Sequence, residues 1–445
     1  MRALSLLTLL LLAPDLLTAQ LHEFNQRDRI RGRIMLRAVA HDVREQFWDP
    51  TLRGLPFDSL VAVAEDQIQR ATSYGQMNGA IARVVMLLND SHTQFIPPSG
   101  VNRIELGWLP YAIGDSIYLR HVEPRLSAAP FGLRVGDRLV AVDGWQVERR
   151  RLADLLYIRR YLQPQESMVL TIEDQDGARR EVRAPVQAIP GRRYYDLSRL
   201  GGGSDWFQLI REAESADSGW DSRFAHPGPD VLYWRLRTFA VSGDHIREGL
   251  RRARGIGTLI LDLRGNAGGY VSTLAAFLAR VAREDQVGDT LFLERRRNSV
   301  EAQLVDDASA RERWGGRLIV LIDSESMSAS EAFADAIQRL QRGTVLGDRS
   351  PGFLTVARGF GHITNEATSV FYGTGIAIAM LERPDGSRVE GVGVVPDELI
   401  QPLPADLTAG RDPALARALQ IAGLAYDPAK AMEYYRWGET QTRDE

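Results

Sequence analysis

The sequence predicts an α/β multidomain protein, with a helical N-terminal region, an inserted β-rich domain, an α/β core and a C-terminal helical segment. Three observations predict it. Apolar residues recur at helical spacing near the start; short strands with Gly-Asp turns fill a middle stretch; and from about residue 230 apolar runs alternate with helical patterns. At 445 residues the chain exceeds what one hydrophobic core serves, so roughly two or three domains are expected.

Composition narrows the function. Apolar residues make up 44% and charged residues 25%, the balance of a globular enzyme and not of a disordered or fibrous chain. The net charge is -4, and arginines are scattered among slightly more acids, so no basic face for nucleic acid is expected. The absence of cysteine excludes a disulfide framework, a thiol nucleophile and a Cys-ligated metal. Lys430 is the only lysine, and arginine, which stays protonated, cannot replace a lysine as general base.

In chain order, Arg2 followed by the apolar stretch Ala3 to Ala13, with Ala19 as the small residue for cleavage, reads as a signal peptide over 1–19. No later segment approaches roughly 18 uninterrupted apolar residues, so an exported protein, periplasmic or secreted and without a stable membrane span after cleavage, is expected. Residues 20–103 form the helical region: Ile30, Ile34, Val39, Val43 and Phe47 recur at helical spacing, and a second helix runs from Met77 to Leu88. The polar stretch Asn89 to Gln94 leaves that helix before Pro97 and Pro98 break regular structure. Strands follow over 104–190, at Ser116 to Val122, Asp137 to Val142 before the turn Asp143-Gly144, and Ser167 to Ile172. The polar segment from Tyr194 to Ser222, with Gly201-Gly-Gly203, reads as a linker or insertion opening the unit 191–405. Within that unit, Val231 to Leu236, Thr258 to Leu263 and Leu318 to Ile322 are buried strands. In the last segment, 406–445, Asp412-Pro413 caps a terminal helix.

The strongest local chemistry lies in Asp323-Ser-Glu-Ser-Met-Ser-Ala-Ser-Glu-Ala332, which follows a buried strand and opens a helix towards Leu340. A serine on such a turn meets free amides and the positive end of the helix dipole, which favour developing negative charge. The same residues also fit a capping box, Ser328 with Glu331. No His-Glu-x-x-His helix or close His/Asp cluster is present, and Gly265-Asn-Ala-Gly-Gly269 lacks the Lys-Ser/Thr of a phosphate loop, so neither metal nor cofactor is expected.

Four ordered segments resemble the tail-specific, or C-terminal-processing, protease family: Asp90-Ser-His-Thr93, Leu261-Asp-Leu-Arg-Gly-Asn-Ala-Gly-Gly269, Ser326-Met-Ser-Ala-Ser-Glu331 and Val389-Glu-Gly-Val-Gly-Val-Val-Pro-Asp397. The stretch Phe131 to Gly144 resembles a PDZ domain, a module that holds a peptide terminus by adding it to a sheet edge. The resemblance implies a crotonase- or ClpP-like protease core with Ser328 as nucleophile and polypeptides as substrates. The best-known branch pairs its serine with a lysine; in the matching turn here, Ser350-Pro-Gly-Phe-Leu-Thr355, Phe353 takes the lysine's place. The tricorn-like branch uses a Ser-His-Ser-Glu tetrad, and the residues matching it are Ser328, His92, Ser91 and Glu390. The backbone amides of Gly268 or Gly269 and of Ala329 are, by the same resemblance, the oxyanion donors. The readings that compete are a catalytically silent relative that binds peptides or other ligands, and a crotonase-type enolate chemistry for which no acyl-CoA signature stands out.

Overall fold

The computed structural model describes residues 24–98, 102–124, 131–162, 165–190, 222–306, 313–364 and 370–434. The expected signal peptide and the Gly201-Gly-Gly203 segment lie outside the described residues.

Three helices, Gln26–Gln46, Phe57–Arg70 and Tyr74–Met86, open the fold. Asn25 caps the first by accepting from the Arg27 amide at 2.8 Å, while Asp28 accepts the Asn25 amide at 3.0 Å. The apolar face differs from the expected one. Met35, Leu36, Val39 and Val43 are buried, whereas Ile30 and Ile34 are exposed. Met35 and Leu36 share a stripe with Val39 and Val43 at helical period, and Ile30 and Ile34 fall beside it. This stripe packs with Ile68, Ile81 and Val85 and against Tyr372, Ile376 and Met380 of a sheet the sequence did not reveal.

That sheet is antiparallel. Val370–Glu382 is its longest strand, and it pairs with Gln94–Ile96, Thr290–Arg296 and Thr355–Thr364, with Val300–Leu304 on the outer edge. Gln94 lies opposite Gly375, which fixes the polar segment before it against the body of the protein.

The inserted β-rich region is an antiparallel sheet in the order Trp108–Ile113, Ser116–Val122, Arg138–Val142, Ser167–Glu173, Arg179–Pro185. Its expected turn is present: Asp143 and Gly144 have φ of 49° and 80° and join Val142 to Trp145 as a tight hairpin of primed type. Trp108, Leu119, Leu139, Leu170 and Ile172 form its separate core.

The third sheet carries the α/β core. Its order is Ser222–Gly228, Val231–Leu236, Thr258–Asp262, Arg317–Ile322, Gly343–Gly347, Glu398–Leu399, parallel throughout apart from the first pair. Thr258–Asp262 is buried along its whole length, as a strand covered on both faces must be. One face holds Gly243–Arg252, Val271–Val281 and Ala329–Arg339, with the rings of Phe277 and Phe333 packed at a tilt of 44°, 4.7 Å between centres. The other face holds the terminal helix Pro413–Ile421 through Leu415 and Leu419. Each such fully buried Leu or Phe stabilises the fold by about 1.5–3 kcal/mol.

Candidate active site

Thr258–Asp262 and Arg317–Ile322 are parallel neighbours, with Asp262 opposite Leu321. Their carboxyl ends therefore deliver the glycine-rich segment and the serine-rich turn to one edge of the sheet, where α/β sheets hold ligands. Side chains then lock the two loops together. Asp323 Oδ1 accepts the Gly265 amide at 3.0 Å, and the Asn266 carbonyl accepts the Met327 amide at 2.9 Å. Ser326 and Ser330 belong to this lock: both are fully buried, and their hydroxyls donate to the carbonyls of Leu263 and Asn266, each at 2.9 Å.

Ser328 differs from both. It is half-buried, it makes no side-chain capping bond, and its backbone stands at φ 56°, ψ -118°. That region is natural to glycine and strained for serine, and it marks a sharp turn that presents the residue at a strand-to-helix junction. The amide of Ser328 donates to the Phe353 carbonyl at 2.9 Å and to Glu331 Oε2 at 3.1 Å.

Glu331 does more than cap. Its fully buried carboxylate also accepts from Ser350 Oγ at 2.6 Å and from the amides of Gly352 and Phe353 at 2.6 and 2.7 Å. It ties the serine turn to the turn 350–353. Burial pushes its carboxyl up to about 7, against the four donors that favour the charged form. The Ser-x-x-Glu spacing gave a signal for the cap; nothing in the sequence signalled the other three donors.

The glycines pack tightly against the serine. A Cβ built on Gly268 would lie 2.7 Å from Ser328 Cβ and 3.0 Å from the Ala329 amide nitrogen, and one on Gly269 would lie 2.1 Å from the Ala240 nitrogen. Only glycine fits either place. The amide of Gly268 is already committed to Asn266 Oδ1 at 2.9 Å. For the amides of Gly269 and Ala329, no acceptor is recorded among the described residues.

The early and late segments meet although 299 residues separate Ser91 from Glu390. Ser91 donates its hydroxyl to Glu390 Oε2 at 3.0 Å and its amide to Oε1 at 3.2 Å, and Ser91 Oγ lies 2.9 Å from His92 Nδ1. Asp90 accepts the His92 amide at 3.1 Å and the Thr93 hydroxyl at 3.0 Å, which shapes the turn. Burial, and then the charge of Asp90, raise the Glu390 carboxyl to about 7. The turn 352–355 joins this group to Ser328: Phe353 accepts from the Ser328 amide, Leu354 donates its amide to Glu390 Oε2 at 2.5 Å, and Thr355 Oγ1 lies 3.0 Å from His92 Nδ1. Thr355 carried no signal in the sequence beyond its place in that turn.

Among the described residues, no group of three or more His, Asp or Glu side chains could hold a metal, and no helix is long and apolar enough to cross a membrane.

A strained serine at the head of a buried helix, backed by paired glycines at a sheet's carboxyl edge, is the arrangement in which α/β hydrolases present a nucleophile. Comparison with known proteins narrows the class. Residues 230–400 match Peptidase family S41. A carboxyl-terminal-processing protease of Synechocystis sp. is 30% identical over 220 residues, 48% of each chain, so this chain spans about half that relative's length. A chloroplastic C-terminal processing peptidase of Tetradesmus obliquus is 24% identical over 380 residues, 77% of this chain and 71% of that one. The crystal structure of mature CPAF shares the fold, with a TM-score of 0.60 at 16% identity over 85% of this chain and 94% of that one. Residues 230–400 thus carry a Peptidase family S41 domain, and the chain is similar over a larger part of its length to carboxyl-terminal-processing proteases.

Proposed function

We propose that the protein is an exported endopeptidase that hydrolyses unfolded or C-terminally exposed polypeptides through Ser328, His92, Ser91 and Glu390. The hydrogen-bonded chain Glu390, Ser91, His92 carries this reading. Because the Ser91 hydroxyl proton is committed to Glu390, Ser91 Oγ offers a lone pair to His92 Nδ1. The ring proton then sits on Nδ1, and Nε2 is left as the base.

In the reaction, Nε2 takes the hydroxyl proton of Ser328 as its oxygen bonds the scissile carbonyl carbon. The carbonyl π pair moves onto oxygen, where the amides of Gly269 and Ala329 are the proposed donors; Gly268, bound to Asn266, is not asked to serve. The imidazolium returns the proton to the leaving amine, and water repeats the sequence on the acyl-enzyme. Phe353 in the lysine's place is consistent with this route, since histidine supplies the base. The PDZ-like region 104–190, the signal peptide 1–19 and a periplasmic or secreted location belong to the same proposal.

The test is a fluorophosphonate probe on the purified chain, with the modified residue mapped by mass spectrometry and Ser328→Ala and His92→Ala alongside. Labelling at Ser328 that both changes abolish is expected, together with cleavage of unfolded casein. Absence of both labelling and cleavage would favour the silent, peptide-binding reading.

A further inference from the structure

We infer that Thr355 is a positioning residue for the proposed base, a second oxygen that holds the Nδ1 edge of His92. This rests on the peptidase reading above. Thr355 Oγ1 lies 3.0 Å from Nδ1, almost the distance of Ser91 Oγ at 2.9 Å. With the Ser91 proton directed to Glu390, the Nδ1 proton faces two hydroxyl oxygens.

The fold makes this contact rigid. Thr355 is buried at 3% exposure, begins the strand Thr355–Thr364, and lies opposite Met380 in the antiparallel sheet. A β-branched side chain in a strand has restricted χ1, which holds Oγ1 in place towards the imidazole. The preceding residue, Leu354, holds Glu390 through its amide, so two consecutive residues grip the acid and the base.

The chemical consequence appears when His92 is charged. As Nε2 gains the Ser328 proton, the ring becomes a stronger donor at Nδ1, and hydrogen bonds to a charged donor exceed those to a neutral one. An acceptor at Nδ1 favours the imidazolium, so removing it lowers the pH at which His92 titrates. Among the described residues, the charged groups linked to this cluster include Glu390 through Ser91, Asp90 beneath the His92 amide, Arg53 against Asp90 at 3.5 Å, and Glu331 behind Phe353. Thr355→Val leaves all of them in place.

The experiment follows the labelling rate at Ser328 against pH in the full chain for wild type, Thr355→Val, Thr355→Ala and Thr355→Ser, with the His92 imidazole titration read by NMR and a thermal melt of each. Loss of the hydroxyl should slow labelling roughly tenfold, the worth of one hydrogen bond to a charged group. The acid limb and the imidazole midpoint should both move to lower pH in Thr355→Val and Thr355→Ala, while Thr355→Ser keeps wild-type values. The inference is overturned if wild type labels at Ser328 and the hydroxyl-free variants keep its midpoint, or if Thr355→Ser falls as far as they do. A wild type that does not label at Ser328 overturns the peptidase reading instead, and the imidazole titration still reports on the Thr355 contact.

Discussion

Replacing Ser328 by glycine should stabilise the protein while abolishing its chemistry. The serine stands at φ 56°, ψ -118°, where a side chain costs on the order of 1–3 kcal/mol. Glycine adopts that conformation freely but loses about 0.5–1 kcal/mol more backbone entropy on folding. Removing the half-buried hydroxymethyl beside Gly268 subtracts a few tenths of a kcal/mol of packing, roughly half the worth of one buried methylene. The balance is a gain of about 1 kcal/mol, or roughly 2 °C in melting temperature for a domain of this size. Ser328→Ala provides the control: it deletes the hydroxyl but keeps Cβ, so the strain stays and the melting temperature should match wild type. Calorimetry of the three proteins, with fluorophosphonate labelling of each, makes the comparison. Should Ser328→Gly melt at or below Ser328→Ala, the claim that the turn stores strain at this residue is wrong.

Two further predictions concern its neighbours. The Glu331 carboxyl lies up at about 7 against an ordinary 4.5, so the folded state holds the extra proton between those values. Its contribution is complete below the unfolded value and is lost as pH rises through about 7, about 3 kcal/mol in all. Glu331→Gln, which cannot ionise, should flatten urea-unfolding stability over that window, leaving the smaller slope due to Glu390; an unchanged pH profile would refute the burial argument. Gly268→Ala meets Ser328 Cβ at 2.7 Å, Met327 O at 2.9 Å and a φ of 92°. Labelling should fall about a hundredfold, the scale of a disturbed oxyanion site, with a loss of roughly 2 kcal/mol in stability. Wild-type labelling in that variant would separate Gly268 from the site.

Much of the fold was legible where neighbours in the chain decide the outcome. Val231–Leu236 reads as a buried strand because it opens on four consecutive apolar residues, Val231 to Trp234, and Asp412 caps the terminal helix by accepting the Leu415 amide at 2.9 Å, next to Pro413. The Asp143-Gly144 turn follows from residues that tolerate positive φ. Legibility ended at the antiparallel sheet. Its strands lie far apart in sequence, and Thr355–Thr364 and Val370–Glu382, rich in glycine and alanine, show no clear alternation to mark a face.

The sequence by itself determined the local elements, the exclusion of thiol chemistry, the scarcity of lysine, and the four segments that resemble tail-specific proteases. Which of three nearby serines stands half-exposed in a strained turn, and the joining of Ser91 to Glu390, were decided only by the tertiary structure. So were the four donors on Glu331 and the approach of Thr355 to His92. Periodicity and capping are short-range and are written in consecutive residues. Burial of a particular hydroxyl or carboxylate depends on surfaces brought together from hundreds of residues away, where local patterns carry no information about partners.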